Sequence, residues 1–296
     1  MTKFVELLIQ GVSLGFIYAL IALGFVVIFK ATEVVNFAHG SLLLLGAYVV
    51  GVNSQQFGFW LALLFGVAAS AAGALFIEVV LIRRLRGRDA NSLAILTIGV
   101  DVILLTEMTR RIGSKVLSTG DPWGNKLITV GGFTVPQSRI AAIVVAAVLM
   151  GLFFAAYKFS SWGVATRAAA EDSEAAALMG IRLGRVSMLS WVIAGTLAAI
   201  AAIFLVAFPT PGVTNTTGLI AARAFPAAIL GGLDSTAGAL VGGIVVGLAE
   251  TMTSGYEDKL PFLGGGFGSI MPYIVMILVL LWRPSGLFGT KDIARV

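Results

Sequence analysis

Long apolar runs separated by short polar breaks dominate the chain. A hydrocarbon core of about 30 Å is crossed by roughly 20 apolar residues in a helix. Candidate spans lie at 5–29, 59–82, 92–108, 140–159, 188–208, 236–253 and 271–282. Two further apolar segments, 41–52 and 221–233, are too short to cross unaided, and each follows a break, ATEVVNFAHG at 31–40 and PTPGVTNTTG at 209–218. Short segments after breaks are the signature of discontinuous membrane helices. The pattern predicts an all-α polytopic integral membrane protein, a single domain over 1–296 with about 8–9 membrane segments, two of them broken or half helices.

Composition removes the alternatives. Hydrophobic residues make up 58% of the 296 positions, with 36 glycines besides, against roughly 45–50% in soluble domains even when glycine is counted. Charged residues reach 12%, about half the soluble average, and the mean hydropathy is +0.98. So much apolar surface does not fit inside one soluble core, which excludes a cytosolic enzyme, a nucleic-acid-binding domain and a disordered chain. The absence of Cys excludes disulfides, thiolate metal sites and a catalytic thiol. His39 is the lone histidine and the acids form no D-x-D loop, so neither a catalytic nor a metal site is expected. Residues 1–10 carry one Lys and no small-residue cleavage site, so the first span reads as retained.

Lys and Arg collect on the cytoplasmic side of membrane proteins. Arg83, Arg84, Arg86 and Arg88 form one cluster, Arg167, Arg182 and Arg185 a second, and Arg283, Lys291 and Arg295 a third in the tail. Placing all three inside puts the N-terminus outside and the C-terminus in the cytoplasm. The loop 109–139 then lies outside despite Arg110, Arg111, Lys115, Lys126 and Arg139. Its turns, Asp121-Pro122-Trp123-Gly124 and Val130-Gly131-Gly132-Phe133, predict an ordered extracytoplasmic hairpin suited to docking a partner. In this topology span 5–29 runs inward before its break and span 188–208 outward before its own. The two broken units are therefore inverted, as in transporters with a midplane site; interruption for packing alone is the alternative.

The cytoplasmic interval at 160–187 is polar and rich in helix formers. A helix there places Ala168, Ala175, Leu178 and Met179 along one side and Glu171 and Asp172 near the first turn, where the helix dipole favours negative charge, with Gly180 as its stop. Such a helix fits a groove of a cytosolic protein or is simply solvated. The spacing Glu174-Ala175-Ala176-x-x-x-Gly180 resembles the EAA loop of ABC importer permeases, which docks on the ATPase subunits, although the downstream Leu-Pro of the broader pattern is missing. Val35-Asn36-Phe37-Ala38-His39-Gly40-Ser41, Leu96-Thr97-Ile98-Gly99, Ala170-Glu171-Asp172, Leu178-Met179-Gly180-Ile181 and Ala227-Ala228-Ile229-Leu230-Gly231-Gly232-Leu233 resemble the LivH-type permease of branched-chain amino-acid ABC transporters. The likeness extends from Val5 to the Arg283-Pro284-Ser285-Gly286-Leu287-Phe288-Gly289 tail.

The resemblance implies a permease subunit in the bacterial cytoplasmic membrane that imports branched-chain or other hydrophobic amino acids. It implies a second, LivM-like permease subunit, two cytosolic ATPase subunits that hold the ATP and Mg, and an extracytoplasmic solute-binding protein. This chain is expected to bind no cofactor; it has no G-x-x-x-x-G-K-[ST] phosphate loop. Gly264-Gly265-Gly266-Phe267-Gly268 lacks the Lys and reads as a flexible external loop. A permease for urea or short amides is the nearest alternative. An ion-coupled secondary transporter or a channel is an alternative of another class, which the EAA-like helix argues against.

Ionisable side chains at membrane depth mark functional candidates: Glu33, His39, Glu78, Asp101, Arg223, Asp234 and Glu250. His39 and Ser41 stand at a helix start with Asn36 as candidate N-cap, where free backbone N–H groups suit a carboxylate; a neutral His39 bonding local carbonyls is the alternative. Arg223 begins the second short segment near Asn215, Thr216 and Thr217, to bind a carboxylate or to pair with Asp101 or Glu250. Asp101, beside Thr97, either receives an ammonium or locks its helix to a neighbour. Asn36, His39, Ser41, Thr97, Asp101, Asn215 and Arg223 are thus the candidate pathway, and Glu171, Asp172, Glu174, Ala175, Ala176 and Gly180 the candidate coupling surface. Gly11, Gly15, Gly24 and Gly99 permit close helix contact.

Overall fold

A computed structural model describes residues 2–85, 89–120, 122–123, 126–130, 133–207, 212–259 and 265–290. Expectations resting on Arg86, Arg88, Asp121, Gly124, Gly131, Gly132, Pro209, Pro211, Gly264, Lys291 and Arg295 lie outside the described residues. Six helical stretches are long and apolar enough to cross a membrane when His39–Leu85 is taken as one, and Thr217–Gly231 and Met271–Trp282 are shorter apolar ones.

At the centre, α1 (Thr2–Thr32) lies antiparallel to α10 (Thr236–Gly255). From Ile17 to Ala22 every residue of α1 is wholly buried, as an all-round apolar helix must be when its neighbours cover it. Small residues let the two backbones touch: a Cβ at Gly15 would stand 2.7 Å from Ile244 Cα, and one at Gly243 2.5 Å from Ala19 N. Lipid supplies no hydrophobic drive for helix association, so close packing of this kind carries it. The second flank of α1 is covered by α7 (Leu183–Leu205).

The segment expected to stop short, 41–52, is longer. Helix α2 (His39–Phe76) runs unbroken to residue 57 and then bends at Gly58, whose φ of +75° and ψ of 167° are open to glycine. The chain folds back on itself there. Ser70 Oγ lies 3.0 Å from Leu42 O and 2.8 Å from Gly195 O, and a Cβ at Gly66 would meet Gly46 O at 2.6 Å. The first arm, 39–57, extends ~28 Å at 1.5 Å per residue. The polar run that suggested an earlier end is helical because its groups are satisfied there: Asn53 Nδ2 donates to Val49 O at 2.7 Å and Ser54 Oγ to Ser118 O at 2.7 Å.

The second arm continues through a π-helical stretch (Ile77–Ile82) and a 3-10 turn (Arg83–Leu85). Glu78 is wholly buried in it, and Arg83 Nη2 reaches Glu78 Oε2 at 3.1 Å and Gly184 O at 3.2 Å, which offsets the burial of the carboxylate. Helices α3 (Ala90–Ile112) and α4 (Gln137–Phe159) follow on the periphery, with Asp89 capping α3 through Ser92 N at 3.1 Å. The loop between them holds an antiparallel pair, β1 (Leu127–Val130) and β2 (Phe133–Pro136), with Leu127 opposite Pro136. Trp123 fixes that loop on the bundle by packing against Phe59 and Phe204 at ring distances of 5.6 and 5.0 Å.

The second short segment also differs from expectation. It starts earlier, at Thr217, and is itself divided into α8 (Thr217–Ala222) and α9 (Phe225–Gly231). Pro226, in the first turn of α9, has no N–H to continue the preceding helix and suits a new start. Of the glycine-rich stretch, Gly265 and Gly266 are exposed as expected of an external loop, whereas Gly268 is buried against Ser254 in the 3-10 turn Phe267–Ser269 that leads into α11 (Met271–Trp282). Beyond α11 the tail returns to α9, with Leu287 N donating to Leu230 O at 2.8 Å and Phe288 N to Gly231 O at 3.0 Å.

The central seam predicts a sharp contrast between glycines. Gly15→Val should destabilise the detergent-solubilised protein by about 1–3 kcal/mol through overpacking. Gly99→Ala, where nothing lies within 4 Å, should be neutral or stabilising by up to about 1 kcal/mol. Thermal unfolding of both variants checks this, and equal losses would refute the seam.

Candidate functional site

Two helix starts meet inside the bundle. A Cβ at Gly40, in the first turn of α2, would lie 3.4 Å from Gly218 O, in the first turn of α8. The α2 start is deep: since Ser70 is level with Leu42, His39 stands beside residue 73, near the middle of the 59–85 arm.

The connection from α1 to this start is built from named bonds. Glu33 takes φ +56°, the sole left-handed backbone among the described non-glycine residues. Asn36 Oδ1 accepts from Ala38 N at 3.1 Å, and Ser41 Oγ donates to Ala38 O at 3.0 Å. Asn36 therefore closes the loop; the N-cap position expected for it belongs to Ala38, which has no capping side chain. Thr97 ties the loop to α3, its hydroxyl accepting from Phe37 N at 3.1 Å and donating to Ala94 O at 2.8 Å.

His39 is wholly buried. Its ring centroid is 4.6 Å from that of Phe25, and a Cβ at Gly24 would stand 2.5 Å from its Cε1 and Nε2. The ring meets the Ile21 backbone, yet neither nitrogen makes a hydrogen bond of normal geometry. The Ile21 backbone is its polar contact, and the ring fills the space that Gly24 leaves on α1.

Between the helix starts lies a cavity of about 270 Å³. Gly40 and Ser41 of α2, Ile98, Asp101 and Leu105 of α3, and Gly218 and Leu219 of α8 line it with the rings of Phe25, Phe37, Phe225 and Tyr273. The rings pack on one another, Phe225 lying 5.2 Å from Phe25 and 5.6 Å from Phe37. Asp101 faces the hydroxyl and backbone N–H of Ser41. Of the candidate pathway residues, Ser41 and Asp101 line the cavity, Asn36 and Thr97 hold its edge, and His39 packs behind it. Asn215 sits apart in the turn before α8, next to Thr214, whose N–H donates to Thr217 Oγ1 at 3.0 Å.

Arg223 does not open the second segment; it stands at the break between α8 and α9. Its Nη1 is 2.9 Å from Glu250 Oε1, while the phenol of Tyr18 donates to Glu250 Oε2 at 2.7 Å. Of the two partners weighed for Arg223, the structure selects Glu250. Tyr18 is a side chain that the motifs do not single out; its signal is a lone phenol within the apolar run 14–29, whose hydroxyl needs a partner when buried.

The interval 160–187 forms two helices, α5 (Ser161–Glu171) and α6 (Ser173–Leu178), where one was expected. Asp172 explains the division. It leaves helical geometry at φ −156°, ψ 104° and caps α6 by accepting from Glu174 N at 3.0 Å and Ala175 N at 2.9 Å. Glu171 ends α5 instead of opening a shared first turn, and Ala168 lies on the other helix from Ala175. Gly180 stops the run at φ +86°. Ala176 faces inward, Glu174 and Ala175 are exposed, and Leu178 and Met179 form an apolar pair, 88% and 84% exposed, at the tip.

Among the described residues no three His, Asp or Glu side chains gather to hold a metal ion. The fold and site define an all-α polytopic membrane protein whose broken helices meet at an internal cavity, the build of a permease. The family described as branched-chain amino acid transport system / permease component matches residues 7–280. The high-affinity branched-chain amino acid transport system permease protein LivH of Escherichia coli K12 is 33% identical, covering 99% of this chain and 98% of its own. BraD of Pseudomonas aeruginosa, a permease protein described in the same words, is 29% identical over the same shares. A solved structure, PsaBC from Streptococcus pneumoniae in complex with Fab, covers 95% of this chain and 91% of its own at 13% identity with a TM-score of 0.50, a likeness of fold. The chain belongs to the branched-chain amino acid transport permease family.

The Arg223–Glu250–Tyr18 triad predicts non-additive stability. Glu250→Leu strands the buried Tyr18 hydroxyl and the partly exposed Arg223 and should cost about 2–3 kcal/mol, whereas Glu250→Gln keeps an acceptor for Tyr18 and should cost less. Combined with Arg223→Met, the loss should fall short of the sum; additive losses in thermal unfolding would show that the two side chains act independently.

Proposed function

We propose that the chain is the permease subunit of an ABC importer that moves branched-chain or other hydrophobic amino acids across the bacterial cytoplasmic membrane. The observation that carries this reading is the aromatic-lined cavity at the meeting of two broken helices, in a chain of this family. Its partners are a second, LivM-like permease subunit, two cytosolic ATPase subunits that bind ATP and Mg, and an extracytoplasmic solute-binding protein. The chain itself binds no cofactor.

The N-terminus lies outside and the C-terminus in the cytoplasm, with eight or nine membrane segments once the two arms of α2 are counted apart and the half helices included. Supporting this orientation, Arg83 contacts Gly184, and Lys30, Arg167, Asp234 and Thr290 share one cleft of about 700 Å³, so the basic segments gather at one end. The two broken units run in opposite directions, and alternating access opens the cavity to each side in turn. Glu171, Asp172, Glu174, Ala175, Ala176 and Gly180 form the surface on which the ATPases act, while the β1–β2 hairpin faces the binding protein. Asn36, His39, Ser41, Thr97, Asp101, Asn215 and Arg223 belong to the pathway or frame it.

Reconstituted with its partner subunits, the chain should support leucine uptake that stops when ATP is depleted; uptake unchanged by depletion would refute the ABC reading, and uptake of urea instead would reassign the substrate. Glu174→Arg should leave folding intact and lower ATPase capture and uptake together by about tenfold, as expected for a like charge or lost contact worth about 1.4 kcal/mol at a docking surface. Normal capture and transport in that variant would remove the coupling role.

A further inference from the structure

The geometry points to a cavity that reads the ammonium end and the aliphatic side chain of its substrate, with Asp101 as the specificity-determining acceptor and, among the described residues, with no cation in its lining for the substrate carboxylate. This rests on the permease reading above. A helix start within a membrane protein is by itself suited to anions, and the first turn of α2 opens into the cavity through Gly40 and Ser41. That place is taken. The carboxylate of Asp101, from α3, faces Ser41 N–H and its hydroxyl, so a second carboxylate arriving there meets a like charge at short range in a low dielectric. The cation nearest to mind, Arg223, is absent from the lining and is already bound to Glu250 at 2.9 Å. Asp101 is the single charged group in the lining, and among the described residues no Lys or Arg joins it.

Everything else in the lining is apolar or weakly polar. Phe25, Phe225 and Tyr273 offer ring faces and edges, which receive an aliphatic body by packing and an ammonium by cation–π attraction. One half-buried carboxylate opposite an aromatic wall selects a cation that carries a branched alkyl group. It discriminates against a neutral amide, which brings polar atoms to the wall and no charge to Asp101. The substrate carboxylate is left to the open side of the cavity, where Ile98 and Leu219 are exposed.

The chain has no Cys, so Ile98→Cys gives one reporter thiol at the cavity edge. The full chain, purified with cysteine-free versions of its partner subunits and without the binding protein, is labelled with a small methanethiosulfonate. Leucine and 3-methylbutylamine should each slow labelling about tenfold, and 4-methylpentanoate should not, the difference expected for one charge-assisted contact. Asp101→Asn should abolish protection by both amines while a control thiol introduced by Leu127→Cys, at a 62% exposed position on the hairpin, still labels normally. Protection by 4-methylpentanoate, protection that survives Asp101→Asn, or no protection by any of the three would overturn the inference. ATP-driven leucine uptake by the unmodified assembly is measured in parallel: uptake without amine protection sinks only this inference, whereas loss of uptake itself sinks the permease reading.

Discussion

Backbone contact between α1 and α10 is the constraint on which the rest of the molecule depends. Gly15 and Gly243 bring the two helices so close that even one methyl group at either would overlap the facing backbone. In lipid such contact replaces the hydrophobic effect as the source of cohesion, and a seam of this kind has one register. The register decides where Tyr18 and Glu250 meet, and their meeting in turn fixes Arg223. The discontinuity between α8 and α9 is therefore held to the centre by a charge pair, at the one position where its own helical hydrogen bonds are interrupted.

The opposite side of the cavity is built differently. Helix α3 is largely exposed along Ile95, Val102 and Ile103 and is attached to the α2 start through Thr97 and Asp101. The cavity thus has a fixed wall, from α1 and the α9 tether, and a wall joined by a few polar contacts. At its far end the connecting loop passes Glu33, where Lys30, Thr32, Ala169 and Ser173 share a small cleft. The α5–α6 unit consequently touches the chain six residues before the first turn of α2, and the left-handed Glu33 lies between them.

Much of this layout is legible in the chain itself because spans, breaks and basic clusters are long-range patterns of composition. The break at 31–40, the second at 209–218 and the hairpin around 127–136 all follow from runs of residues, and the scarcity of acids at membrane depth narrows the partner of Arg223 to Asp101 or Glu250. What is hidden depends on single residues whose effect is conformational. Gly58 among three dozen glycines is not distinguishable by composition as the one that reverses a helix, so the first arm of α2 reads as a half helix. Asp172 looks like a first-turn acid until its own backbone leaves the helix to cap the next one. His39 reads as a polar bond-former, and only the approach of Gly24 shows that its volume is used as well.

The placement of charge at membrane depth follows one rule, and Asp101 departs from it at the cavity. Burying an ion in a membrane domain is tolerated when a partner comes with it. Glu78 has Arg83, Glu250 has Arg223 and Tyr18, and Lys30 Nζ has the Asp234 carbonyl at 2.8 Å. Among the described residues Asp101 forms no ion pair: it faces the dipoles of a helix start, with aromatic rings on the other side and a cavity in front. Helix-end dipoles stabilise a carboxylate by a fraction of a full opposite charge, which leaves Asp101 available to the ammonium proposed above. A structural lock would be better served by a resident Arg; a transport path requires that the counter-charge arrive with the cargo.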